Sequence, residues 1–242
     1  MDEAAPKVNI NYYTCSRYMK IGIVGGTGGM GEGLALRWCM NHDVVVGSRE
    51  AQRALNAAAT YSKVVAEAYG TKMKGTITGN ENTAMARDCD LLVLSIPYEH
   101  INDTCGKLVS AVKENCIIIS PIVPMKKGND GFEYVPMQGN TSSAAEMVAA
   151  KMPPRSRIVS ALHTISEVKL KHVKEGIDCD ILVCGDDANI VRVVNGLIAE
   201  VKGLRPIYLG PLSMSYQAEV ITPMLLNAAK QNKIKHPGLK IV

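Results

Sequence analysis

The chain has 242 residues, 47% of them hydrophobic and 21% charged, with a formal net charge of +4 at pH 7. That balance suits one compact unit with a large core, and no apolar run approaches the ~20 residues that cross a bilayer. The positive charge is mild and spread out, unlike the clustered Lys/Arg stripe of a nucleic-acid binder, so small phosphorylated molecules are the better partners for it. Seven cysteines form an odd set without a C-x-x-C pair and read as reduced, mostly buried thiols of a cytoplasmic protein.

Residues 1–18, "MDEAAPKVNINYYTCSRY", are polar and weakly patterned and lack the apolar core of a signal peptide, so they read as a poorly structured N-terminal extension. Residues 19–242 read as one domain. A strand over Lys20–Val24 leads into a helix over Gly29–Met40, a strand over Val44–Gly47 and a long helix through "EAQRALNAAATYSKVVAEAYG". After the glycine-broken "TKMKGTITGNEN", which carries no clear element, come a helix at "TAMARD", a strand in "DLLVLSIP", a helix in "EHINDTCGKLVSAVKE" and a strand in "CIIIS". These strands are unbroken apolar runs rather than alternating ones, as expected where helices cover both faces of a parallel sheet.

The segment from Val123 to Asn140 is rich in Gly, Asn and Pro and reads as a long loop, a candidate lid. Ser143 to Glu146, "SAAE", has the form of a reciprocal capping box for a helix through Lys151. Strand "RIVSALHTI", helical "SEVKLKHV", strand "DILVCG", helix "ANIVRVVNGLIAEV", strand "RPIYL" and a helix from about Ser213 complete the chain. The alternation predicts a Rossmann-type α/β fold, a doubly wound and mainly parallel sheet with a C-terminal α/β extension.

Within "GGTGGMG", Gly26, Gly28 and Gly31 fit G-x-G-x-x-G directly after a strand and at the opening of a helix. In that motif the first glycine allows the tight turn, the second lets a pyrophosphate approach the backbone, and the third lets helix and strand pack closely. The pyrophosphate then lies against free amides at the helix N-terminus. A Walker loop is excluded because Glu32-Gly33 stands where Lys-Ser/Thr is needed, and the short-chain dehydrogenase pattern fails because no Tyr-x-x-x-Lys occurs.

An NAD enzyme places Asp or Glu about 20 residues after the loop, to bond the ribose 2′-hydroxyl. Here "VVVGSRE" offers Ser48 and Arg49 instead, with Arg53 one helical turn further, and a hydroxyl plus guanidinium groups suit a 2′-phosphate. The loop therefore reads as an NADP site, with Glu50 as the one charge that opposes it. There is no H-E-x-x-H, no catalytic carboxylate pair and no metal-spaced Cys/His set, so spacing alone stops at an NADP-binding oxidoreductase without metal.

In order from Lys20 to the C-terminus, "GGTGGMGEGLALR", "VVVGSRE", "LSIPYEH", "SPIVP", "SALHTI", "VCGDD", "GLRP" and "GPLS" resemble the coenzyme F420-dependent NADP oxidoreductases. The resemblance implies a dimeric or higher-order enzyme that passes a hydride between C4 of the NADP nicotinamide and C5 of the F420 deazaflavin. It assigns Thr27, Gly28, Gly29 and Met30 to the NADP loop, Ser48, Arg49 and Arg53 to the 2′-phosphate, and Ile96, Pro97 and His100 to the nicotinamide side. It assigns His163, Thr164, Ile165, Ser213 and Ser215 to the deazaflavin, in a pocket completed by the segment from about 205 to 242. The chain departs from the family pattern at Tyr98, where Trp is common, and at Glu50, where another basic residue is common.

Each of these residues also has an ordinary structural reading. His163 is placed as a satisfied core histidine would be, Ser213 as an N-cap of the last helix, Pro97 as a strand terminator and His100 as a surface residue on a helix start. Two other functions share the same glycine loop: an NADPH-dependent flavin or metal reductase, and a non-catalytic NADP(H)-sensing module.

Overall fold

The computed structural model describes residues 17–137, 142–152 and 157–242. The first half contains β1 (Lys20–Val24), α1 (Gly29–Trp38), β2 (Asp43–Ser48), α2 (Ala51–Tyr69), β3 (Ile77–Glu81), α3 (Asn82–Ala86), β4 (Leu91–Leu94), α4 (Ile101–Leu108) and β5 (Ile117–Ser120). A hairpin of β6 (Met125–Lys127) and β7 (Phe132–Tyr134) follows. The second half contains α5 (Ala144–Lys151), β8 (Arg157–Ser160), α6 (Glu167–Lys171), β9 (Cys179–Cys184), α7 (Ala188–Ala199), β10 (Leu204–Gly210) and α8 (Ser215–Asn232).

Eight strands form one sheet in the order β10-β9-β8-β5-β4-β1-β2-β3. Neighbours are parallel except at β8–β9, where a single antiparallel pairing of Ser160 with Cys184 reverses the direction of the last two strands. Alternate residues feed two cores, as the pleat requires. Ile21, Ile23, Leu91, Val93, Ile117 and Ile119 pack with α1, α2 and α7 on one face, and Leu92, Leu94 and Ile118 pack with α4 and α5 on the other. This two-sided burial is why the strand sequences are continuous apolar runs. From β1 the chain winds outward to β2 and later returns on the opposite side as β4, so a crevice opens at the carboxyl ends of β1 and β4, the switch point where such sheets bind ligands.

Several local expectations are corrected. The stretch read as elementless contains β3, an edge strand whose "ITGNE" alternates and carries polar residues on its open side. The expected lid loop contains the β6–β7 hairpin, and its last three residues lie outside the described ones. The capping box is half formed: Ser143 Oγ accepts from the Glu146 amide at 3.1 Å, but the Glu146 carboxylate turns to Ser142, accepting from its amide at 3.0 Å and its hydroxyl at 2.6 Å. Ser213 does not cap the last helix, because it sits inside a 3₁₀ turn, Leu212–Met214, that runs into α8 with Met214 at the cap. Of the proposed extension only Arg17 and Tyr18 are among the described residues. The six described cysteines are buried and free, and Cys15 lies outside the described residues.

Candidate functional site

The glycine loop joins β1 to α1 at the crevice. The left-handed residue of the turn is Gly25, at φ +71°, one position before the first motif glycine. Gly26 and Gly31 serve as contact glycines: a Cβ on Gly31 would lie 2.6 Å from Gly26 Cα, and one on Gly26 would lie 2.8 Å from the Ile23 carbonyl oxygen. Both distances are well inside van der Waals contact, so helix and strand close on each other only without side chains. At Gly28 the nearest atom to such a Cβ is the Gly25 carbonyl oxygen at 3.6 Å, so the loop presents bare backbone there. α1 has no side-chain cap, leaving its first amides for an anion. These are the features a dinucleotide pyrophosphate needs, and the loop fits one.

At the far end of β2, Ser48 is buried and its Oγ accepts from the Glu50 amide at 3.3 Å, which leaves the hydroxyl proton to donate elsewhere. Arg49 and Arg53 are exposed and form no hydrogen bond or ion pair among the described residues. The carboxylate beside them in the sheet, Glu81, is occupied in capping α3 through the Thr83 and Ala84 amides at 2.9 and 3.1 Å. Glu50 precedes α2 and is exposed, and its side chain makes no cap bond.

Two cavities meet in front of the loop. One, of about 480 Å³, has Gly28, Gly29, Met30, Ile96, Pro97 and Ile122 in its wall. The other, of about 860 Å³, lies between α6 and α8 and has Thr164, Ile165, Leu225, Leu226 and Pro237 in its wall. They share Met30, Met125, His163, Glu167 and Thr222. The structure thus brings the loop residues, Ile96 and Pro97 to one side and His163, Thr164 and Ile165 to the other. His100 is exposed at the cap of α4 and lines neither cavity. Ser213 is exposed and Ser215 donates to the Leu212 carbonyl at 2.6 Å; neither serine lines either cavity.

His163 is buried at the junction of the two cavities. Burial lowers its imidazole to about 4, outweighing a hydrogen bond to the Ser120 backbone that raises it, so the ring is neutral at pH 7. Its Nε2 lies 3.1 Å from Ser160 Oγ, and its own carbonyl accepts from Thr222 Oγ1 at 2.8 Å, which ties the segment after β8 to α8.

The wall carries residues that the sequence analysis did not single out. Glu167 opens α6, and its carboxyl carbon would lie 2.7 Å from a Cβ on Gly29, so it sits over the loop. α6 is fastened to α1 by Arg37, whose guanidinium donates at 2.8–2.9 Å to the carbonyls of Lys169, Leu170, His172 and Glu175. Met125 and Phe132 reach the cavities from the β6–β7 hairpin. α8 clamps that hairpin through Asn227, which accepts from the Phe132 amide and donates to its carbonyl, each at 2.7 Å. Beside this clamp Glu219, fully buried, accepts from the Ala144 and Ala145 amides at 3.0 and 3.1 Å and from Tyr134 Oη at 3.3 Å. Burial raises its carboxyl to about 7 despite those three donors. A helix period or strand alternation does not reveal such pairings, because each joins segments more than 70 residues apart.

The doubly wound sheet, the bare glycine loop at its switch point and the basic pair beyond β2 define a dinucleotide-binding protein of the Rossmann class. A family model described as "NADP oxidoreductase coenzyme F420-dependent" matches residues 20–124. The chain is 34% identical over 223 residues to the F420-dependent NADP reductase of Methanocaldococcus jannaschii, covering 92% of this chain and 98% of that one. It is 31% identical over 227 residues to the enzyme of the same name from Methanothermobacter marburgensis, again with 92% and 98% covered. A solved candidate F420-dependent NADP-reductase from Arthrobacter sp. FB24 shares the fold with a TM-score of 0.72 at 21% identity, over 93% of this chain and 99% of that one. The chain belongs to the coenzyme F420-dependent NADP oxidoreductase family.

Proposed function

We propose that this protein is an oxidoreductase that passes a hydride directly and reversibly between C4 of the NADP(H) nicotinamide and C5 of the coenzyme F420 deazaflavin. The observation that carries this reading is the pair of contiguous cavities, one opening on the glycines of the loop and the other touching the loop at Met30, with five residues in common. Such a cleft accommodates two ring systems face to face, the arrangement that hydride transfer needs at roughly 3–3.5 Å between the reacting atoms. The nicotinamide and the deazaflavin supply the redox chemistry between them, one giving the hydride that the other accepts.

The protein's own residues bind, orient and exclude water. Gly26 to Gly31 and the first amides of α1 receive the pyrophosphate, while Ser48, Arg49 and Arg53 receive the 2′-phosphate. Met30, Ile96 and Pro97 form the apolar seat of the nicotinamide. His163, Thr164 and Ile165, backed by the segment from about 205 onward, form the wall on the deazaflavin side. The neutral His163 adds no positive charge at the point where the nicotinamide ring is cationic in its oxidised form.

We also propose a cytoplasmic homodimer. Tyr208 of β10 and Tyr216 and Met224 of α8 are large apolar side chains left exposed, and a second copy would cover them. Among the described residues, no helix is long and apolar enough to cross a membrane.

The assay mixes purified protein with NADPH and oxidised F420 and follows loss of the deazaflavin absorbance, with FMN and FAD in parallel. Turnover with F420 and not with FMN or FAD is expected. Reduction of FMN or FAD alone would establish a flavin reductase, and tight NADPH binding without any turnover would establish a nucleotide sensor.

A further inference from the structure

The cavity in front of the glycine loop is anionic. Its formally charged lining residues are Glu99 and Glu167; it has no Lys or Arg, and the histidine in its wall is neutral. Glu167 is the better placed of the two carboxylates, because it lies directly over Gly29, at the point where the loop wall meets the second cavity. It makes no hydrogen bond or ion pair among the described residues. Lys171, one turn further along its helix and within its electrostatic reach, is held by Glu32 of α1 at 2.8 Å. The four carbonyl bonds from Arg37 fix α6 against α1, so the carboxylate is held there by the backbone rather than by a flexible loop.

An unpaired carboxylate over an anion-binding loop is unfavourable for a pyrophosphate; Lys230, Lys233 and Lys235 line the second cavity and not the one at the loop, so on the loop's side the compensating positive charge has to come from the ligand. The oxidised nicotinamide ring carries such a charge and the reduced ring does not. We propose that Glu167 sets the redox-state preference of the nucleotide site, holding NADP⁺ more tightly than NADPH. The inference rests on the NADP reading above and adds the residue that discriminates between its two forms. By linkage, tighter holding of the oxidised form shifts the equilibrium on the protein toward it by the same factor, which makes bound NADPH a stronger hydride donor than free NADPH.

The two nucleotides differ only at the nicotinamide ring, so the ratio of their dissociation constants isolates that ring's surroundings. NADPH affinity is read by its fluorescence on binding, and NADP⁺ affinity by displacement, at fixed salt. Glu167→Gln keeps the shape and removes the charge. It is expected to raise Kd(NADP⁺)/Kd(NADPH) about three- to tenfold, the size of one partly solvated charge acting across several ångströms. Most of the change should fall on NADP⁺. Glu99→Gln is expected to give a smaller change in the same direction. Raising salt should shrink the wild-type preference, since Glu167 is exposed.

An unchanged ratio in Glu167→Gln overturns the inference. So does equal tightening of both nucleotides, which would mean that the carboxylate acts only on the pyrophosphate. Failure of the wild-type protein to bind either nucleotide would instead refute the NADP reading beneath it, and the two failures are thereby distinguished.

Discussion

The two walls of the cleft are built on different physics. The glycine-loop wall is local and uses backbone: it comes from one strand, one turn and one helix start, and its geometry follows from what a Cβ would collide with. The opposing wall is assembled from β8, α6, the β6–β7 hairpin and α8, and it relies on polar groups, namely the carbonyl of buried His163, the half-buried Asn227 amide and the buried Glu219 carboxyl, each bonded across a long stretch of chain. A wall made of backbone tolerates little change in size, whereas a wall made of buried polar groups is sensitive to protonation and to the loss of a single partner.

The contrast is most easily broken at Arg37, which joins the two walls. Arg37→Met keeps the apolar stem but strips four carbonyls of their donor, and we expect a loss of about 3–4 kcal/mol in denaturant unfolding. A loss below about 1 kcal/mol would show that α6 is held by Gly33–Leu170 packing instead.

Glu219 comes next. Its folded carboxyl titrates near 7 against an ordinary value of 4.5, so the fold favours the protonated form. The stability this group contributes is present in full below about pH 4.5 and declines as pH rises to about 7, by about 3 kcal/mol in total. Glu219→Gln should remove that downward step from the stability-versus-pH curve, measured by urea unfolding. A step of the same size in the variant would assign it to another group.

Arg49→Ala should weaken NADPH binding roughly ten- to a hundredfold, the cost of losing a charge-assisted phosphate contact, while leaving NADH binding nearly unchanged. Equal losses for the two nucleotides would remove Arg49 from the 2′-phosphate. Asn227→Ala, the smallest effect, releases the hairpin from α8. It should raise the KM for F420 about fivefold with little change in NADPH affinity, because only the wall opposite the loop loses its support. A matching loss of NADPH affinity would mean that the hairpin serves both cavities equally.

This contrast also explains what was legible in the sequence. The turn at Gly26, Gly28 and Gly31 could be read because their spacing is dictated by local sterics, and the place of Ser48 and Arg49 at the end of β2 because the strand end is a fixed distance along the chain. The parallel sheet was readable from runs such as "LLVL" and "IIIS", whose two-sided burial leaves no alternation. β3 was missed because an edge strand with Gly79 and Asn80 has no such run. The hairpin was missed because three-residue strands leave almost no periodic signal. Glu167 and Glu219 carry no signal in the sequence, because only the tertiary fold brings them to Gly29 and to the head of α5.

The central claim is that two rings meet in one cleft and exchange a hydride without an intermediary. Its most direct test uses NADPH carrying deuterium at the transferring C4 position, with oxidised F420 as acceptor and the product read by mass spectrometry and NMR. The account predicts one deuterium, bound to C5 of the reduced deazaflavin and undiluted by solvent protons. Deuterium found in water, or reduced F420 carrying only solvent hydrogen at C5, would contradict it.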